Sequence, residues 1–102
     1  MFLGFKIWRV QGRSMAPMIP PKSFILANKW LTFLPIKEGQ KLVLNHPRYG
    51  IIVKTVAIVD AYGLIWSKGE NSESLSVEEL GPIDKQNVLG RVIGIFKQKE
   101  SN

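Results

Sequence analysis

The stretch Gly50–Val59, GIIVKTVAIV, constrains this chain more than any other part of it. Ile, Val and Thr branch at Cβ, which stiffens the side chain and favours a pleated strand over a helix. In a strand, Ile52, Lys54, Val56 and Ile58 share one face, and Ile51, Val53, Thr55, Ala57 and Val59 share the other. Both faces are apolar, which predicts a central strand covered on two sides. Lys54 stands in the middle and should point into protein. One outcome is snorkelling, with the stem buried and the ammonium lifted to water. The other is a chemical use for the burial. Withdrawal from water disfavours the charged form. At the ordinary pKa of about 10.4, only about one lysine in 2,500 is neutral at pH 7. A lysine that gives up its proton more easily becomes a general base. Such a base needs a nucleophile to serve.

Short apolar stretches separated by turn signals make up the rest of the chain, the pattern of a small all-β domain. Strands are predicted at Phe5–Gln11, Ser23–Asn28, Gln40–Asn45, Ile51–Asp60, Gly63–Lys68 and Val88–Phe96. A length of 102 residues suits one domain with a modest core. No linker or repeat divides it, so residues 1–102 read as a single, mainly β unit, a small antiparallel sheet or barrel. The tail 97–102 is expected to fray. His46-Pro47-Arg48-Tyr49-Gly50 reads as a hairpin turn, with His46 on the surface, and Asp60-Ala61-Tyr62-Gly63 turns the long strand into the next. Ser76-Val77-Glu78-Glu79 matches a capping box and predicts a turn or two of helix, ended by Gly81-Pro82. Trp30, Leu31, Phe33, Leu34 and Ile36 are expected to cover the sheet as a packed loop. The alternative for them is an exposed patch for a partner or a membrane surface.

Composition removes several chemistries. There is no cysteine, hence no disulfide, no thiol catalysis and no thiolate zinc site. A single histidine, His46, cannot build a multi-histidine metal centre, and no metal or cofactor is expected. The net charge of +6 would suit nucleic acid, an anionic membrane surface or an acidic partner. No block of five or six basic residues occurs, however, and the scatter reads mainly as a solvated surface. No apolar run approaches the ~18 residues needed to cross a bilayer. Met1-Phe2-Leu3-Gly4-Phe5 is interrupted by Lys6 and Arg9, unlike a secretory signal. The expectation is a cytoplasmic protein with peripheral membrane contact at most.

Forty residues before Lys54 stands Gln11-Gly12-Arg13-Ser14-Met15-Ala16-Pro17. A serine after a predicted strand, preceded by glycine and followed by Met-x-Pro, suits a nucleophile on a tight bend. Taken alone it is one serine among seven, and an ordinary turn serine is the plain alternative. A Ser-His-Asp triad would have to bring His46, with Asp60 or Asp84, back across the sheet. A serine–lysine dyad is simpler: the hydroxyl yields its proton to a neutral amine, and the ammonium then protonates the leaving group.

Gly12-x-Ser14-Met15-x-Pro17, followed by Val53-Lys54-Thr55-Val56, resembles the signal peptidase I-like and LexA-like serine–lysine proteases. Lys37–Val43 is similar to that superfamily's G-D-x-V segment, Lys68-Gly69-Glu70-Asn71 to its G-D-N turn, and Leu89-Gly90-Arg91-Val92 to its closing I-G-R-V strand. The likeness runs over residues 8–96. It implies a mainly antiparallel β fold, Ser14 as nucleophile, Lys54 as base, and a groove for extended peptide. Gly12, Met15 and Pro17 carry the serine motif, and by resemblance Ser74 helps to orient the lysine. Some positions depart from the pattern. Ser76 replaces an aspartate and Glu78 an arginine, which removes an ion pair that usually braces the site. Met18 stands where a threonine often follows the proline. Gly12 offers no side-chain donor, so the oxyanion hole would lean on the Ser14 amide and a second donor.

With thirteen residues ahead of Ser14 and no Ala-Gly bond, LexA-type self-cleavage is not expected, nor is the anchored, two-domain form of a true signal peptidase. The resemblance is nearest to the nickel-type superoxide dismutase maturation proteases, which remove a short leader from a precursor protein. Other peptide substrates remain open. The rival reading is a non-catalytic or decayed β-barrel that binds peptide or nucleic acid, with Trp8, Trp30 or Trp66 in a basic stacking groove.

Overall fold

The computed structural model describes residues 2–98. Its strands are β1 (Phe5–Arg9), β2 (Phe24–Asn28), β3 (Lys41–His46), β4 (Gly50–Val59), β5 (Ile65–Lys68), β6 (Pro82–Ile83) and β7 (Val88–Phe96), with one α-helix, α1, at Val77–Leu80. They form an antiparallel sheet in the order β1-β2-β7-β3-β4-β5-β6, curled into a half-barrel. The mainly β reading holds, and six predicted strands lie within two residues of their expected ends. The seventh, β6, was not anticipated, because Gly81-Pro82 reads as punctuation. Proline lacks the ladder donor, and here it sits on the outermost strand, where that donor is not needed.

The sheet separates two cores. Val43 and Val53 face one side with Val10, Met15, Ile19, Ile25 and Ala27. Leu42, Leu44, Ile52 and Val56 face the other with Ile65, Ile83 and Val88. Lys54 pairs with Leu42 and so lies on this second side. Cover on both faces reaches only the middle of β4, where Lys54, Thr55 and Val56 are buried. Its ends depart from expectation: Ile51, Ile58 and Val59 are exposed, because the strand outruns the segments that pack on it.

Local signals account for the connections. Asp60 Oδ1 accepts from the amides of Tyr62 and Leu64, closing the turn from β4 to β5, and Asp60 Oδ2 accepts from Trp66 Nε1. Ser76 and Glu79 form the reciprocal capping box, and Gly81, at φ 73°, ends α1. With its cap removed, Ser76→Ala should lower the unfolding free energy by about 1 kcal/mol, read from urea denaturation.

Two local expectations are corrected. Residues Trp30–Phe33 form a 3-10 helix rather than a packed loop. At three residues per turn Trp30 and Phe33 stack on one side, and both face outward together with Leu34. Thr32 is buried, and Ile36 alone of the five apolar side chains packs on the second core. His46 is not a surface residue but is buried at the end of β3. Its Nδ1 accepts from the amides of Arg48 and Tyr49, and its Nε2 lies 2.7 Å from the Leu80 carbonyl, which it meets as donor. A neutral imidazole can satisfy both sides, which is why it tolerates burial.

The fraying expected for 97–102 falls, for residues 99–102, outside the described residues. Gln98 is tied down, its amide donating to Ser23 Oγ at 3.0 Å. Among the described residues no helix is long and apolar enough to cross a membrane.

Candidate active site

Ser14 sits in the turn that leaves β1. Gly12 enters that turn at φ 75°, a region other residues rarely adopt. Met15 and Ile19 sink into the first core and hold the underside of the loop, and the Ala16–Pro17 peptide is cis. The top is clamped by the segment that follows β5. The Glu70 amide donates to the Ser14 carbonyl at 2.6 Å, and Ser74 Oγ donates to the same oxygen at 2.8 Å. Asn71 Nδ2 donates to the carbonyls of Arg13 and Ala16.

These bonds give Ser74 a place in the loop: expected to help orient Lys54, it lines the cavity with that lysine and donates its hydroxyl to the Ser14 carbonyl, its lone pairs left to accept. They also show what braces the loop where an ion pair was missing. Ser76 and Glu78, the departing positions, belong to the cap and first turn of α1, and the bracing comes from Glu70, Asn71 and Ser74. In the sequence Glu70 and Asn71 read only as part of a turn. Nothing local in the sequence says that an asparagine will reach carbonyls 58 and 55 residues away.

Ser14 and Lys54 line the same cavity, of about 320 Å³, together with Arg13, Asn71, Glu73, Ser74 and the apolar Ile52 and Leu80. Lys54 is 5% exposed. Burial is what lowers its pKa from the ordinary 10.5, and no carboxylate contributes to hold the charge. Among the described residues no hydrogen bond joins Ser14 Oγ to Lys54 Nζ. Catalytic contacts are often loose before substrate arrives. The triad alternative fails on chemistry. Both ring nitrogens of His46 are committed to backbone groups, Asp60 to its turn and Trp66, and Asp84 to the amide of Gln86. Among the described residues no three His, Asp or Glu side chains gather as a metal site.

One edge of β4 is open beside the cavity. β3 pairs with β4 from Gly50 to Thr55, whereas β5 begins only at Thr55. Val56 exchanges backbone hydrogen bonds with the β3 side, through Gln40 and Gly39. Alternation then turns the N–H and C=O of Ile51 and Val53 toward the open edge. A second cavity, of about 220 Å³, lies against Ser14, Trp8, Met15, Ile51 and Val53. Compared with known proteins, the chain matches no family model, no curated protein and no solved structure.

Proposed function

We propose that this protein is a serine endopeptidase working through a Ser14–Lys54 dyad on an extended peptide, in the manner its motifs resemble. The observation that carries the reading is the meeting of Ser14 with a buried, charge-destabilised lysine in one cavity, from positions forty residues apart. The open edge of β4 supports a substrate strand that pairs with Ile51 and Val53, its alternate side chains dipping toward the two cavities.

In this mechanism neutral Lys54 takes the Ser14 Oγ proton as the oxygen attacks the scissile carbonyl carbon. The tetrahedral adduct collapses, the C–N bond breaks, and the lysine ammonium protonates the departing amine. Water then attacks the Ser14 ester, again with Lys54 as base, and releases the acid product. The substrate proposed is a precursor protein with a short N-terminal leader, a nickel-type superoxide dismutase precursor being the specific candidate. Nickel belongs to that product and not to the peptidase.

Intact-mass analysis of such a precursor after incubation with the protein tests this: loss of the leader supports the reading, and an unchanged mass removes that substrate. For any peptide that is cut, kcat/KM should rise with pH as Lys54 loses its proton, and level off below the ordinary 10.5, because burial lowers that pKa. A stopped-assay pH profile on a fluorogenic peptide checks it; a flat profile through this range would remove Lys54 as the base.

The rival nucleic-acid groove finds less support. Trp8 packs against the first core and Trp66 is held by Asp60, which leaves Trp30 as the outward indole of the three.

A further inference from the structure

We propose that the outer face of β1, β2 and β7 docks this protein on an anionic lipid bilayer. Ladder register places three rows on the side of these strands opposite Ile25, Ala27 and Val92: Phe5–Asn28–Arg91, Ile7–Leu26–Gly94 and Arg9–Phe24–Phe96. Ile7 is 59% exposed, Phe96 58% and Phe24 44%. At the first row, Asn28 accepts from the Leu31 amide and donates to the Leu3 carbonyl. The Trp30 ring meanwhile lies over Gly4, at 2.9 Å from where a Cβ would stand. Leu3, Trp30 and Phe33 therefore extend the same apolar surface, with Trp30 56% and Phe33 74% exposed. An apolar patch of this extent marks a docking surface.

Charge indicates the occupant. Lys6, Arg9, Arg13, Lys22, Lys29 and Lys37 precede Glu38 with no Asp or Glu among them, and the remaining eight cations are matched by eight acids. The formal net charge of +6 thus belongs to residues 1–37, the stretch that supplies β1 and β2, although Lys6 lies on their other side and Arg13 lines the Ser14 cavity. On the outward rows the cations are Arg9 and Arg91, with no carboxylate among them, whereas Lys6 pairs with Ala27 on the opposite side. Apolar side chains among cations match a surface that is hydrocarbon beneath and anionic above. Phe and Trp settle at the headgroup boundary while Lys and Arg reach the phosphates. Nucleic acid would meet the cations and find rings to stack on in Phe24, Phe96, Trp30 and Phe33, but the exposed aliphatic Leu3 and Ile7 beside them gain only from hydrocarbon. A second copy would set like charges against each other.

Vesicle co-sedimentation at low salt, with tryptophan emission as a second readout, tests the proposal. The protein should bind phosphatidylcholine vesicles containing about a third phosphatidylglycerol, with a blue shift, and should stay in solution with phosphatidylcholine alone. Ile7→Ser with Phe33→Ser, both at exposed positions, should weaken the partition roughly tenfold or more while circular dichroism stays native. The Ser14→Ala protein should bind as wild type does, which keeps this result separate from the peptidase reading. Three outcomes each overturn the proposal: no binding to anionic vesicles, equal binding by the Ile7→Ser/Phe33→Ser protein, or retention by a single-stranded oligonucleotide or self-association in place of vesicle binding.

Discussion

Ser14→Ala should leave peptide cleavage at least about 10³-fold below wild type, with substrate binding retained. The loss falls on kcat because the hydroxyl oxygen forms the covalent bond, whereas affinity comes from the β4 edge and the flanking cavities. Lys54→Met should lose a similar factor, since the amine that takes the proton is gone. Glu73, the carboxylate that lines the same cavity, is the group whose Glu73→Gln variant shows whether it can substitute. The double variant should fall little further, because nucleophile and base act as one unit. Single-turnover assays on one fluorogenic peptide measure all four. Retention of more than a tenth of wild-type activity by Ser14→Ala would end the dyad mechanism.

Stability should move the other way for Lys54. Its folded pKa is lowered below the ordinary 10.5, so the unfolded chain binds that proton more tightly. The charge therefore opposes folding below the folded pKa, and stability recovers as pH rises from there toward 10.5. Met fills similar volume without a charge. Lys54→Met should melt higher than wild type at pH 7, by a few degrees, with the gap closing in alkali. A lower melting point at pH 7 would mean that the ammonium has a partner that stabilises it.

The second large effect is expected at Gly69, which touches no substrate. A Cβ built there would lie 2.1 Å from Ser74 Oγ, 2.4 Å from Ser74 Cβ and 2.7 Å from the Ser14 carbonyl oxygen. None of these can be accommodated without displacement, and one is backbone of the nucleophile itself. Gly69→Ala should thus break the bonds from Ser74 and Glu70 to Ser14 and move its hydroxyl. The expected cost is about 1–3 kcal/mol of stability, from overpacking. Activity should drop about 10²-fold, since a shift near 1 Å is enough to spoil attack geometry. Ser74→Ala removes one of the two bonds to that oxygen without a clash, and should show the same pattern at a smaller size. Urea denaturation beside kcat measurement separates the two terms. If Gly69→Ala keeps wild-type kcat, the clamp does not position Ser14.

Much of this was legible in the residues themselves. The β-branched run declared a strand, and its two apolar faces declared that Lys54 would be buried. The capping box and the Asp60 turn formed where Ser76, Glu79 and Asp60 announced them, because such bonds join near neighbours. His46 was misread because its environment is set by Leu80, a residue 34 positions away on α1. Trp30–Phe33 was misread because apolar content predicts burial, whereas the 3-10 repeat and the reach of the sheet decide which side chains find cover. The bond from Ser74 to the Ser14 carbonyl was not legible, because it joins residues 60 positions apart.

What the sequence by itself determined is therefore local and periodic: strand or turn, which face is apolar, where a helix is capped. These follow from backbone sterics and nearest-neighbour hydrogen bonds, which need no knowledge of the rest of the chain. What only the tertiary structure decided is who meets whom. The insertion of β7 between β2 and β3, the early end of β5 that opens the β4 edge, and the clamp of Glu70, Asn71 and Ser74 on the Ser14 loop all join residues far apart in the chain. Such contacts are selected by the packing of two cores on one curled sheet, and no short stretch of sequence encodes them.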